Sequence, residues 1–116
     1  HAEFSGGWGV AFDLPGLRSA YGIAGTGLTD EPDMAKARTA LASQWPLFRD
    51  IVTLPQPAFA GYGQEGARAY ASDNPDGTGV NSLAYVRMAG APCLYNVWSR
   101  LGRAHLELLL GSLHAL

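Results

Sequence analysis

A chain of 116 residues, 47% apolar and 16% charged, carries a net charge of −2 at neutral pH. This length fits one domain that hides roughly two thirds of its unfolded surface without a metal or disulfide staple. A charged share below the usual ~25% excludes a disordered tail, and the scattered cations, from Arg18 to Arg103, lack the clustering that a phosphate backbone demands, which argues against nucleic acid as a partner.

In chain order, residues 1–13 are rich in glycine and aromatic residues and read as an extended or irregular entry. Residues 14–21 read as a short helix with Pro15 in its first turn, where a missing N–H costs nothing. Residues 22–27, with Gly22, Gly25 and Gly27, read as a flexible loop. A helix is predicted over residues 31–44. Asp30, Glu31 and Asp33 put negative charge at its N-terminus. Met34, Ala37, Leu41 and Trp45 recur at helical spacing, and Pro46 ends the run. That stripe should bury Met34, Leu41 and Trp45 and leave Lys36 and Arg38 exposed.

Residues 47–52 continue as a turn or short strand, and residues 55–66 read as a loop because of Pro55, Pro57, Gly61, Gly63 and Gly66. Residues 67–71 and 81–88 read as two strands of a β-hairpin, joined through an exposed turn at 72–79 built from Ser72, Asp73, Asn74, Pro75, Asp76 and Gly77. Ala91, Pro92 and Cys93 open a predicted second helix with the stripe Leu94, Val97, Trp98 and Leu101, stopped by Gly102. Residues 104–110 alternate, with Ala104, Leu106, Leu108 and Leu110 on one side and His105, Glu107 and Leu109 on the other, and read as a strand whose apolar face meets that helix. The expected fold is α+β, a small antiparallel sheet packed against two or three helices in one domain spanning residues 1–116.

Few of these residues carry recognisable chemistry. The glycines of residues 22–27 lack the dinucleotide-binding spacing, and with Lys36 as the one lysine there is no P-loop. Asp73, Asn74 and Asp76 lack the closing glutamate of a calcium loop and suit an Asx-type turn. His105 and Glu107 make half of a zinc-deaminase signature, without its cysteine pair. Cys93, His105 and His114 supply three zinc ligands only if the fold brings them together. No metal or cofactor is expected. As the one cysteine, Cys93 has no intramolecular disulfide partner. In the first turn of a helix and near His105 or His114 it would be an activated nucleophile; otherwise it is a small buried hydrophobe. Trp8, set among glycines, and Leu109, on the outer face of the last strand, are the candidate partner contacts.

The longest apolar stretch, around Leu108 to Leu110, is far too short to span a membrane. No signal peptide is visible, and a start at His1 without Met reads as a processed or truncated chain.

Three stretches carry a family likeness. Leu17, Arg18, Ser19, Ala20, Tyr21 and Gly22, followed by Gly25, Thr26, Gly27, Leu28 and Thr29, look like the end of a spine helix and the loop after it. Residues 40–46, running into Pro46, look like a small helix in that loop. Residues 81–90, followed by Ala91, Pro92 and Cys93, look like a sheet strand leading into a helix start. Together they resemble the globular domain of a type IVb pilin. The likeness implies a structural subunit or adhesive component of an extracellular filament, in contact with other protein subunits and able to self-assemble, outside the cell or in the periplasm. It departs from the family in two ways: Cys93 lacks the partner of a C-terminal disulfide, and Gly6, Gly7, Gly9 and Pro15 are poor material for a spine helix. Two other readings stand beside it: a small enzyme using Cys93 with a histidine, possible in the cytoplasm as well, and a non-enzymatic partner-binding module.

Overall fold

The computed structural model describes residues 2–4, 7–28, 33–44, 47–54, 56–62, 82–89 and 93–114. Its elements in chain order are β1 (Ala2–Phe4), β2 (Gly7–Leu14), β3 (Leu17–Leu28), α1 (Met34–Gln44), β4 (Leu47–Asp50), β5 (Ala58–Tyr62), β6 (Ser82–Met88), β7 (Cys93–Ser99) and α2 (Arg103–Ser112). The strands form one seven-stranded sheet in the order β1-β2-β3-β7-β6-β5-β4, with every neighbouring pair antiparallel. Two meanders, β1 to β3 and β4 to β7, are joined where β3 pairs with β7, placing Ile23 opposite Val97. Among the described residues the protein is therefore sheet-rich, with two short helices. The expectation of a small sheet packed against two or three helices is corrected, because four segments read as helix or loop, within residues 14–21, 22–27, 58–62 and 93–99, are strands.

The first correction lies at residues 14–21. Leu14 pairs with Leu17 across Pro15 and Gly16, and Gly16 has φ of 75°. Proline followed by a glycine at positive φ is the composition of a tight turn, so these residues make a hairpin rather than a helix. The second is the glycine run of residues 22–27, which lies inside β3. Here glycine makes room for a neighbour: a Cβ on Gly22 would stand 2.4 Å from Trp98 Cζ2, and one on Gly25 would stand 2.9 Å from Trp8 Nε1. Residues 58–62 of the predicted loop also form a strand, β5, every residue of which is buried.

The third correction exchanges the last two elements. Residues 93–99 are strand β7, between β3 and β6 in the middle of the sheet. Apolar groups on both faces of a central strand erase the two-residue period, so Leu94, Val97, Trp98 and Leu101 matched a helical stripe by coincidence. Residues 103–112 are helix α2. Leu106 and Leu110 are buried and Leu109 and Leu113 partly so, at helical spacing, whereas Leu108 is 70% exposed. Consecutive leucines satisfy either period, and Ala, Arg, Glu and Leu favour helix. Gly102, with φ of 99°, precedes α2 and does not close a helix.

Helix α1 and strands β4 and β6 lie where the residue pattern places them. Asp33 is the residue that starts α1: its carboxylate accepts from the backbone N–H of Ala35 at 2.9 Å and of Lys36 at 3.2 Å. Met34 is half-buried, Ala37 is buried, and Lys36 and Arg38 are exposed. Trp45, the Leu41 side chain, the strand expected at residues 67–71 and the turn at 72–79 lie outside the described residues. The described partners of β6 are β5 and β7.

The two helices take opposite faces of the sheet. Leu106 and Leu110 of α2 pack with Ala58, Ala60, Tyr62, Ala84, Val86 and Val97. Full burial of each leucine is worth about 1.5–3 kcal/mol. On the other face α1 covers β4 and β5, where the Arg38 guanidinium lies 4.5 Å from the Phe48 ring centroid and pairs with Asp50. Beside it a second apolar cluster gathers Leu83, Tyr85, Leu94 and Trp98.

Candidate functional site

The predicted nucleophile and its histidines do not assemble. Cys93 is a half-buried free thiol at the first residue of β7. His105 is bonded to Ser99 at the far end of that strand. Six residue steps of extended chain separate the two ends by about 20 Å. His114 is exposed, with Nδ1 at 2.9 Å from the Ser112 carbonyl oxygen. Among the described residues no three His, Cys, Asp or Glu side chains converge as a metal site.

His105 has a different partner. The Ser99 hydroxyl accepts the Leu101 N–H at 3.0 Å and lies 2.7 Å from His105 Nδ1. The hydroxyl has one donor and a second acceptor lone pair for this contact, so its direction follows the ring tautomer. The imidazole meets the Tyr21 ring edge-on at 5.0 Å, and Phe12 stacks on Tyr21 at 5.0 Å. A hydroxyl beside an imidazole is the start of a nucleophilic pair. Here Ser99 is 0% exposed, and among the described residues no carboxylate bonds the ring. The arrangement ties the β7–α2 corner together.

A charged cluster joins β4, β5 and α2. Glu107 pairs with Arg49 of β4 and, at 2.8 Å, with Arg103 one helical turn earlier. The Arg103 guanidinium lies 3.8 Å from the centroid of the Tyr62 ring. Burial pushes the Glu107 carboxyl up, but hydrogen bonding to Arg103, the nearby Tyr62 hydroxyl and the charges of Arg49 and Arg103 outweigh it and hold the group below its ordinary value. Burial, then the adjacent Glu107, pushes the Tyr62 phenol well above its ordinary value. The Tyr62 hydroxyl, on a residue 1% exposed, lies near Glu107 without a hydrogen bond of standard length and angle. Half-buried ions that satisfy one another clamp α2 to the sheet.

Two surfaces remain. On the α2 face, β2 and β3 extend beyond the helix. Trp8, Val10 and Phe12 of β2 stand opposite Gly25, Ile23 and Tyr21 of β3. Trp8 meets Tyr95 edge-on at 6.1 Å, and Phe12 is 48% exposed. Trp8, the predicted contact residue, is thus half-buried within an aromatic band. Leu109, the other predicted contact, packs against the core from α2, and the exposed leucine beside it is Leu108.

On the opposite face lies a cleft of about 520 Å³ whose lining includes Ser19, Leu83, Asn96, Trp98 and Arg100. Sequence reading did not single out Ser19, Asn96, Ser99 or Arg49, because each meets its neighbours through strand pairing or across the sheet. The Arg103–Glu107 pair is legible once residues 103–112 are read as helix, since it is an i, i+4 contact.

Of the stretches that resemble a type IVb pilin, residues 17–22 lie in a strand, residues 40–44 end a helix, and Cys93 opens a strand. The chain matches no protein-family model, no curated protein and no solved structure.

Proposed function

We propose that this domain is a non-enzymatic interaction module that associates with protein, in the first place with a second copy of itself, through the aromatic band of β2 and β3. The observation that carries this reading is the placement of Phe12, Tyr21, Val10, Ile23 and Trp8 on one sheet face beside α2, with Phe12 half-exposed and stacked on Tyr21. Clustered aromatic groups at a surface mark contact sites. The band lies next to β1, the last described strand at that side of the sheet, and an edge strand offers backbone donors and acceptors to a like strand. Repetition of such a contact would give the filament that the pilin resemblance implies, and a closed contact would give a dimer.

Sedimentation velocity from micromolar to millimolar concentration tests this. The wild-type chain should show a concentration-dependent mass increase. Phe12→Asp should abolish it while leaving the thermal midpoint within a few degrees. A wild-type chain that stays monomeric throughout, or a Phe12→Asp variant that associates equally well, overturns the reading.

A further inference from the structure

The cleft on the opposite face has the features of a small-molecule site and is independent of the aromatic band. Its volume, about 520 Å³, falls within the range of roughly 300–1,000 Å³ that such sites occupy. Leu83 and Trp98 supply apolar walls. The Trp98 ring is fixed from behind, lying against Gly22 where any Cβ would stand only 2.4 Å away, and its Nε1 reaches the Ser19 carbonyl oxygen at 3.4 Å. The plane is therefore set before any ligand arrives.

Five of the seven described lining residues are polar, Ser19, Ser82, Asn96, Ser99 and Arg100; Ser82 and Ser99 are buried, which leaves Ser19, Asn96 and Arg100 open to a ligand. Asn96 Nδ2 reaches the Ala84 carbonyl oxygen at 3.5 Å, a weak bond that leaves the amide able to serve a ligand. Arg100 is exposed, and its Nη1 donates to the Arg18 carbonyl oxygen at 2.9 Å. That bond holds the guanidinium in place and leaves its other donors available. No carboxylate pairs with Arg100 among the described residues. None of the described lining residues is acidic.

Ser19 adds a second kind of observation. It is the one non-glycine residue at positive φ among the described residues, with φ of 48°. Asp13 holds it there by accepting the Ser19 N–H at 2.7 Å. A side-chain-bearing residue kept in this region costs free energy and concentrates at ligand sites.

From these groups we infer that the cleft binds a small planar aromatic monocarboxylate, its ring against Trp98 and Leu83 and its carboxylate on Arg100. A single guanidinium matches one carboxylate, and two cations would suit a phosphate dianion better. A neutral sugar would leave the Arg100 charge without a purpose.

The test is a heteronuclear NMR titration of the whole chain with cinnamate, and with neutral cinnamamide as the control. Cinnamate should shift the Trp98 indole and the Asn96 side-chain amide along one saturating curve. Cinnamamide should bind about tenfold or more weakly, the usual worth of a charge-assisted contact. Arg100→Gln should weaken cinnamate by a similar factor and leave cinnamamide unchanged, and Arg100→Lys should restore part of the difference. No saturable shift at Trp98, a shift centred on Trp8, or equal binding of cinnamate and cinnamamide by the wild-type chain overturns the inference. The last comparison needs no variant and decides the matter even if Arg100→Gln does not fold.

Discussion

Trp98 of β7 lies over Gly22 of the adjacent strand β3, so closely that a Cβ on the glycine would stand 2.4 Å from both Trp98 Cζ2 and the Val10 carbonyl oxygen. The indole has no flexible end that can yield, and the carbonyl belongs to a paired strand. Gly22→Ala is therefore expected to overpack this layer and cost about 1–3 kcal/mol. A urea midpoint equal to that of the wild-type chain would show that the two strands can part without penalty.

Leu106 and Leu108 separate the helical from the extended reading of the C-terminal segment. Leu106 is buried in the core and Leu108 is 70% exposed. Leu106→Ala should cost about 2–5 kcal/mol through lost burial and the cavity left behind, whereas Leu108→Ala should fall within about 0.5 kcal/mol of the wild-type chain. Equal losses at both positions in equilibrium unfolding would mean that residues 104–110 bury one face of a strand.

The cluster around Glu107 makes stability depend on pH at both ends of the scale. The folded state lowers the Glu107 carboxyl from its ordinary value, so it binds a proton less readily than the unfolded chain does. Its contribution is complete above the ordinary carboxyl range and is lost as the pH falls through the folded value. Glu107→Gln should flatten the acid side of the profile. The folded state raises the Tyr62 phenol, so that contribution is complete below the ordinary tyrosine value of about 10 and is lost as the pH rises above it. Tyr62→Phe should reduce the alkaline loss and change stability at neutral pH by no more than about 1 kcal/mol, because the hydroxyl has no standard hydrogen bond to lose. Chemical denaturation across the pH range checks both, and parallel profiles for wild type and variants would dissociate the cluster from the pH response.

Local signals were enough to place α1 and β6. Asp33 caps a run of helix formers. Along residues 82–88, Leu83 and Tyr85 alternate with Ala84, Val86 and Met88. Those features depend on residues a few positions apart, and so do the absent nucleotide and calcium spacings. The tertiary structure decided the rest. Whether Leu94, Val97 and Trp98 lie on one helix or on two faces of a strand depends on β3 and β6 coming to flank them. The glycines of β3 read as loop residues until the two tryptophans that need their missing Cβ atoms, Trp98 and Trp8, are placed across the sheet. Arg49 meets Glu107, and Trp98 meets the Ser19 carbonyl, across 58 and 79 residues of chain. The cleft is built from strands far apart in sequence, β3, β6 and β7, whereas the aromatic band sits on the single hairpin of β2 and β3. Periodicity records only what a segment prefers by itself, and which face it buries is settled by the long-range pairing that encloses it.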